Sequence, residues 1–120
     1  MKYFISPDKE PNARLSEERL LEIISKYFPK SVIEKIDDEK RTYFYQTMFK
    51  TNDNYIDVFI PKTLDSVVLN TNMLSDLSAF ITDIRQQFSK QDNVLLYDES
   101  YSYVVPIPFE GVTNDNLSQF

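Results

Sequence analysis

The 120-residue chain contains no cysteine and no histidine, and its single glycine is Gly111. Without cysteine it can form neither a disulfide framework nor a thiolate nucleophile or metal site. Without histidine it lacks the commonest general base and metal ligand, so triads of serine or cysteine with histidine are excluded. A loop that cradles phosphate needs several glycines, so the nucleotide-binding fingerprints are absent too. These absences favour a binding function over catalysis, and we expect no cofactor and no metal site.

Long hydrophobic runs are also lacking. Residues 1–7 contain only three consecutive apolar side chains, fewer than a signal peptide needs, and no stretch of the sequence approaches the length of a transmembrane helix. Together with the absence of cysteine, which fits a reducing compartment, this predicts a cytoplasmic protein that does not contact membranes.

What the sequence does contain is an uneven distribution of charge. Nineteen acidic side chains face thirteen basic ones, for a net charge of −6. Residues 1–50 are nearly neutral, whereas from Thr51 onward only Lys62, Arg85 and Lys90 oppose ten acidic side chains. A negative carboxyl-terminal surface would repel nucleic acids and anionic lipids, and would attract a basic protein at long range.

Apolar periodicity predicts the secondary structure. A hydrophobic fraction of 42%, with nine Phe and eight Tyr, is enough for the core of one domain. Ser16 is a candidate N-cap for a helix that ends before Pro29, and a second helical stripe covers 73–89 with Thr71 or Asn72 as its cap. Alternating or β-favouring residues predict six strands: 2–6, 42–50, 55–60, 64–70, 94–97 and 101–105.

This order of elements predicts an α+β fold, namely a two-layer sandwich with two helices on one face of a mostly antiparallel sheet. A ferredoxin-like variant is one of several candidates. We expect a single domain over 1–108 and a loosely ordered tail over 109–120, because the tail is polar and lacks periodicity. The mixed charges of 37–41 are interpreted as a solvated loop.

A cluster in the last predicted hairpin has the residue types of a recognition site: Tyr97, Asp98, Glu99, Tyr101 and Tyr103. Tyrosine offers a large contact area at low entropic cost, and carboxylates accept charge-assisted hydrogen bonds from Arg or Lys. The same residues also fit an ordinary hairpin with an acidic, soluble turn and tyrosines on one sheet face. The sequence leaves both interpretations open.

The turn between the strands at 42–50 and 55–60 carries further acids. Asp53 and Asp57, with Asn52 and Asn54, resemble the start of a calcium loop, but the central glycine and closing glutamate of such a loop are missing. The pattern therefore favours a plain turn, and we assign Asp53 and Asp57 to the acidic partner-binding surface.

Two other functions remain open on sequence grounds. A carboxylate-dependent hydrolase needs no histidine, and Glu34, Asp57, Asp98 and Glu99 are conceivable members of its acid pair. A structural or adaptor subunit could self-associate through an exposed edge strand such as 64–70.

Residues 94–106, Val-Leu-Leu-Tyr-Asp-Glu-Ser-Tyr-Ser-Tyr-Val-Val-Pro, resemble the closing hairpin of small acidic bacterial proteins of the toxin-immunity type. The resemblance implies a cytoplasmic protein that binds a cognate toxin and blocks its active site or its assembly. Immunity proteins against nucleases are often acidic because their targets are basic. The leading hypothesis is thus a non-enzymatic inhibitor or immunity protein that binds a basic protein partner such as a toxin.

Overall fold

The computed structural model describes residues 1–37, 40, 43–118 and 120, and gives only the backbone for 43 and 44. Residues 38, 39 and 41 of the predicted solvated loop lie outside this part. A single 3₁₀ turn covers Leu74–Asp76. The strands and α-helices of the described part are, in chain order, β1 (Lys2–Pro7), α1 (Glu17–Tyr27), β2 (Val32–Lys35), β3 (Tyr43–Lys50), β4 (Tyr55–Pro61), β5 (Val67–Thr71), α2 (Ser78–Arg85), β6 (Val94–Asp98), β7 (Val104–Pro106) and α3 (Asn114–Leu117).

The seven strands form one sheet in the order β2-β3-β4-β5-β1-β6-β7, and every neighbouring pair is antiparallel. The connection β1-α1-β4 spans β5, and the connection β5-α2-β6 spans β1, so the four central strands form two interlocked split βαβ units. This is the ferredoxin-like arrangement, extended by β2 and β3 on one side and β7 on the other. The predicted two-layer α+β sandwich is confirmed.

The core lies between the helices and one face of the sheet. Alternation along β4 buries Ile56, Val58 and Ile60, as the sequence predicts, because successive strand residues point to opposite faces. The helices contribute their apolar stripes to the same cluster: Leu20, Ile23 and Ile24 from α1, and Phe80, Ile81 and Ile84 from α2. We call the opposite side of the sheet, which none of the described helices covers, the open face.

The first helix forms where the sequence predicts it. Ser16 has an extended backbone, and its hydroxyl oxygen accepts a hydrogen bond from the backbone N–H of Arg19. Glu17 and Glu18 lie in the first turn and Lys26 in the last, as the helix dipole favours.

The second helix is shorter than predicted. In place of one helix over 73–89, the structure has the 3₁₀ turn followed by α2, which ends at Arg85. The helix has no side-chain cap, because its N-cap residue is Leu77, whose side chain has no acceptor. The predicted cap Thr71 instead accepts from the N–H of Met73 before the 3₁₀ turn. Both helix types place residues three apart on similar faces, so the apolar spacing did not distinguish them.

Three strand predictions need correction. The strand at 64–70 is wrong in extent and position, since β5 covers Val67–Thr71 and pairs with both β4 and β1. It is an interior strand and offers no free edge. The last strand begins at Val104 rather than at Tyr101, and the edge strand β2 was not predicted.

Where the sequence predicts a loose tail over 109–120, the described residues 109–118 and 120 include a helix. Residues 114–117 form α3, whose N-cap Thr113 and Asn116 make a capping box. Leu117 is only 1% exposed, and Val112 packs against the core. One apolar residue per helical turn is enough to dock so short a segment, and that signal is too weak to read from sequence.

Candidate functional site

The loop between β6 and β7 has an uncommon backbone. The N–H of Tyr101 donates to the carbonyl oxygen of Asp98 at 3.1 Å, which closes a four-residue turn, and the N–H of Asp98 donates to the carbonyl oxygen of Tyr103 at 3.3 Å. Tyr101 is the last residue of this turn and has a φ of 58°, in the left-handed region. Such a position usually carries Gly or Asn, because a bulky side chain is strained there.

The ring of Tyr101 stacks on its neighbour in the sheet. Tyr101 and Tyr97 have ring centroids 5.0 Å apart and planes within 9°, and Tyr97 and Phe4 have centroids 5.3 Å apart and planes within 16°. Phe4, Tyr97 and Val104 are also cross-strand partners on the open face. Tyr101 is 69% exposed, so the row ends in a tyrosine open to solvent. We call Phe4, Tyr97, Glu99, Tyr101 and Val104 the hairpin patch.

Asp98 does not belong to this patch. It is 6% exposed and faces the core side of the sheet. Its Oδ1 accepts from the backbone N–H of Tyr103 at 3.3 Å, and its Oδ2 accepts from the hydroxyl of Ser100 at 3.2 Å. Burial, and secondarily the charge of Asp98, raises the pKa of Tyr3 above its ordinary value. These contacts fit the alternative reading of Asp98 as a residue that holds the hairpin turn.

Tyr103 lies on the other side of the sheet from Tyr101. Its ring is tilted against Phe120 at 5.8 Å, and Phe120 in turn packs edge-on against Tyr3 in the core. The five residues of the predicted cluster are therefore divided: Tyr97 and Tyr101 share the open face, Asp98 and Tyr103 turn away from it, and Glu99 is exposed in the connecting loop.

Asp57 and Asp53 lie apart from the hairpin. Asp57 is on the open face of β4, where its Oδ2 accepts from the amide of Asn70 at 3.3 Å. Three strand spacings separate β4 from β6, or about 14 Å. Asp53 belongs to the plain turn between β3 and β4, which is closed by the N–H of Thr51 donating to the carbonyl oxygen of Asn54.

The acids that follow Thr51 do not form one surface. Asp98 and Glu99 lie at the end of the sheet where β1 begins, while Asp65 and Asp92 lie at the opposite end. Asp83 is on the helix layer, where it pairs with Lys26 at 3.2 Å. The predicted single acidic surface is therefore wrong, because the antiparallel strands carry successive turns to alternate ends of the molecule.

The hairpin patch itself contains one charged residue, the exposed Glu99. The sequence from residue 91 to 120 has five acids and no cation. Lys2 neighbours Phe4 on β1, but its Nζ lies 6.0 Å from the ring centroid of Phe59 on β4, away from the hairpin. Glu99 is thus an exposed acid in the loop that carries Tyr101, and its own segment, 91–120, contains no basic residue.

Five shallow recesses on the described part of the chain have volumes of 280–460 Å³, and none of these five is lined by Glu34, Asp57, Asp98 or Glu99. These recesses therefore do not bring together the acid pair that a hydrolase would need. Among the same residues, no group of three acidic side chains is arranged to hold a metal ion, and no helix is long and apolar enough to cross a bilayer.

No protein-family model, curated protein or solved structure matches the chain. The evidence for function is therefore the geometry of its own residues. Sequence reasoning found Tyr97, Glu99 and Tyr101 but missed Phe4 and Val104, since strand register was not available to it. The Asp-Glu-Ser-Tyr turn gave no signal of the left-handed backbone, because glycine and asparagine are absent from it.

Proposed function

We propose that this protein is a non-enzymatic binding protein that takes a basic protein as its partner through the hairpin patch, and acts as an inhibitor or immunity protein. The observation that carries the proposal is the conformation of Tyr101. A large, exposed aromatic side chain occupies a left-handed backbone position in a loop that needs no aromatic residue to close.

The stacking energy and the backbone strain of Tyr101 indicate that its ring adds little to the stability of the fold. A left-handed backbone costs an L-residue about 1–2 kcal/mol. Stacking of two aromatic rings contributes about 0.5–1.5 kcal/mol beyond the area it buries, so the contact with Tyr97 and the strain are of similar size. Glycine would hold the same loop without that strain. Strained residues of this kind concentrate at binding sites, where the side chain has a role outside folding.

The charge of the molecule indicates the partner. A net charge of −6 and the exposed Glu99 favour encounter with a basic surface, and tyrosine is enriched where binding energy concentrates. The resemblance of residues 94–106 to immunity-type hairpins adds a toxin as the kind of basic partner. A nuclease-type toxin would be blocked by occupation of its basic active-site face.

Affinity capture followed by calorimetry tests the proposal. The native protein and Tyr101→Gly are used as baits in a lysate of the source cell, and the captured protein is purified and titrated. We expect a basic partner whose affinity falls at least tenfold for Tyr101→Gly, and whose association slows as salt rises. Tyr103→Ala is the matched control, since it removes a tyrosine of the same hairpin from the other face.

Equal affinity for the native protein and Tyr101→Gly would overturn the assignment of the site. A neutral or acidic partner, or an association rate that does not change with salt, would overturn the electrostatic part of the proposal.

A second candidate function, self-association as a structural or adaptor subunit, is favoured by the other edge of the sheet. Val32 on β2 is 56% exposed, and its cross-strand neighbour Met48 on β3 and the adjacent Ile33 are also exposed. An edge strand with exposed apolar residues is a template for pairing with a second copy. Sedimentation at several concentrations should then show a dimer that Ile33→Lys abolishes, whereas a monomer at all concentrations would rule this candidate out.

A further inference from the structure

We infer that the hairpin patch recognises arginine side chains of the partner in preference to lysine, by stacking a guanidinium group on Tyr101. This inference deepens the proposed function and rests on it. It follows from the orientation of the rings, the chemistry of the two cations and the position of Glu99.

The three rings of the patch are nearly parallel. Tyr101 and Phe4 each stack on Tyr97 with interplanar angles of 9° and 16°. Centroid distances of 5.0 and 5.3 Å are those of offset stacking, in which each ring overlaps its neighbour only in part. The exposed end of the row is therefore a flat aromatic surface that is held in a fixed direction.

A flat surface of this kind discriminates between the two basic side chains. Guanidinium is planar, delocalised and weakly hydrated, so it can lie parallel to an aromatic ring at a small desolvation cost. The ammonium group of lysine is a compact, strongly hydrated point charge, and it gains less from a face-on contact. A fixed, exposed ring stack thus fits arginine better than lysine.

A carboxylate of the same loop is the third feature of the site. Glu99 is exposed two residues before Tyr101, in the same loop. A carboxylate can accept two parallel N–H bonds from the edge of a guanidinium whose face lies on a ring, whereas lysine has no such edge. No basic residue of the segment 91–120 competes for Glu99.

One arginine of the molecule itself lies over an aromatic ring while its edge donates hydrogen bonds. The Arg85 guanidinium carbon lies 5.5 Å from the ring centroid of Phe109, while the Nε, Nη1 and Nη2 groups of Arg85 donate to carbonyl oxygens. Stacking of the face and hydrogen bonding of the edge are thus combined in one arginine here, as we infer for the partner's arginine on Tyr101 and Glu99.

Two synthetic peptides test the inference. One alternates glycine and arginine, and the other replaces every arginine by lysine at the same length and charge. Each is titrated calorimetrically into the native protein, Tyr101→Gly, Glu99→Gln and the control Tyr103→Ala. We expect the arginine peptide to bind the native protein about fivefold more tightly than the lysine peptide.

The variants show which residues produce the preference for arginine over lysine. Tyr101→Gly should bind both peptides equally and at the lysine level, while Tyr103→Ala should retain the preference for arginine. Glu99→Gln should weaken the arginine peptide more than the lysine peptide. Equal, salt-sensitive binding of both peptides by the native protein would overturn the arginine inference and leave the basic-partner proposal standing. Binding of neither peptide at low salt would overturn both.

Discussion

The guanidinium of Arg85 donates its Nε–H to the carbonyl oxygen of Ile107 at 2.8 Å, although Arg85 is only 3% exposed. The same side chain donates to the carbonyl oxygens of Ser89 and Asp92. It therefore joins the end of α2, the loop before β6 and the segment after β7. Burial lowers the pKa of Arg85, and the charges of Asp92 and Glu110 oppose this effect.

Replacement of Arg85 by lysine should destabilise the fold by about 2–4 kcal/mol, because one ammonium group cannot reach three carbonyl oxygens and leaves buried acceptors without donors. Urea unfolding measures the loss. Arg19→Lys is the control, since Arg19 forms an exposed pair with Glu22 and should change the unfolding free energy by less than about 0.5 kcal/mol. Equal effects of the two substitutions would contradict this role of Arg85.

Gly111 should not tolerate alanine. Its φ is +109°, and a Cβ there would lie 2.4 Å from the side chain of Thr82 on α2. We expect Gly111→Ala to lower the unfolding free energy by about 2–4 kcal/mol through backbone strain and overpacking. Exposed Glu110, the preceding residue, provides the control: Glu110→Gln should unfold at nearly the native urea concentration. A stable Gly111→Ala protein would show that this loop can reorganise.

Substitutions at Tyr101 separate its backbone from its ring. Glycine removes the stacking contact and also the left-handed strain, so Tyr101→Gly should change stability by less than about 1 kcal/mol. Alanine removes the contact but keeps the strain, so Tyr101→Ala should be about 1 kcal/mol less stable than Tyr101→Gly. Thermal or urea unfolding of the two variants measures this difference. If alanine proved as stable as glycine, position 101 would not have a left-handed backbone.

Stability should fall as the pH rises above about 10. Burial, with a hydrogen bond to Asp83, raises the pKa of Tyr27 above its ordinary value of 10.0, and a hydrogen bond to Glu17 raises the pKa of Tyr45. The unfolded chain releases these protons near pH 10, whereas the folded chain holds them to higher pH. The folded state therefore binds more protons in that range, and each further rise in pH favours unfolding.

Urea unfolding at a series of alkaline pH values measures this slope. The variant Tyr45→Phe should reduce it, while Tyr101→Phe, at an exposed ring outside the core, is the comparison variant. An identical slope in Tyr45→Phe would show that the hydrogen bond to Glu17 does not hold the phenolic proton.

Much of the fold could be predicted because local signals agreed with it. Ser16, the apolar stripe that follows it and Pro29 defined α1 before any tertiary contact was known. The alternation around Val58 identified both the strand and its buried face. The edge strand β2 was missed because its four residues are all exposed, so their sequence has no alternation of apolar and polar residues that would indicate a strand. The helix in the tail was not predicted because the burial of Leu117 depends on core residues that are distant in the sequence.

The candidate site, too, could be predicted only in part from the sequence. The residue types at Tyr97, Glu99 and Tyr101 were evident in the sequence, and their value for recognition follows from side-chain chemistry alone. The structure depends on pairing between strands whose paired residues are more than 90 positions apart in the sequence. This pairing sets the register that places Phe4 beside Tyr97, and it sets the turn that directs Asp98 toward the core. We grouped the five residues of the predicted cluster because they are close in the sequence. In the structure they are divided between the two faces of the sheet.

By itself the sequence determined the composition of the core, the first helix, the hairpin of β3 and β4, the net charge and the classes of chemistry that the chain cannot perform. Tertiary structure alone decided where the charges lie, because antiparallel strands send consecutive turns to opposite ends of the sheet and disperse acids that are adjacent in the sequence. It also decided which tyrosine is presented to solvent, since a left-handed residue and a cross-strand stack arise only when the hairpin is closed against β1.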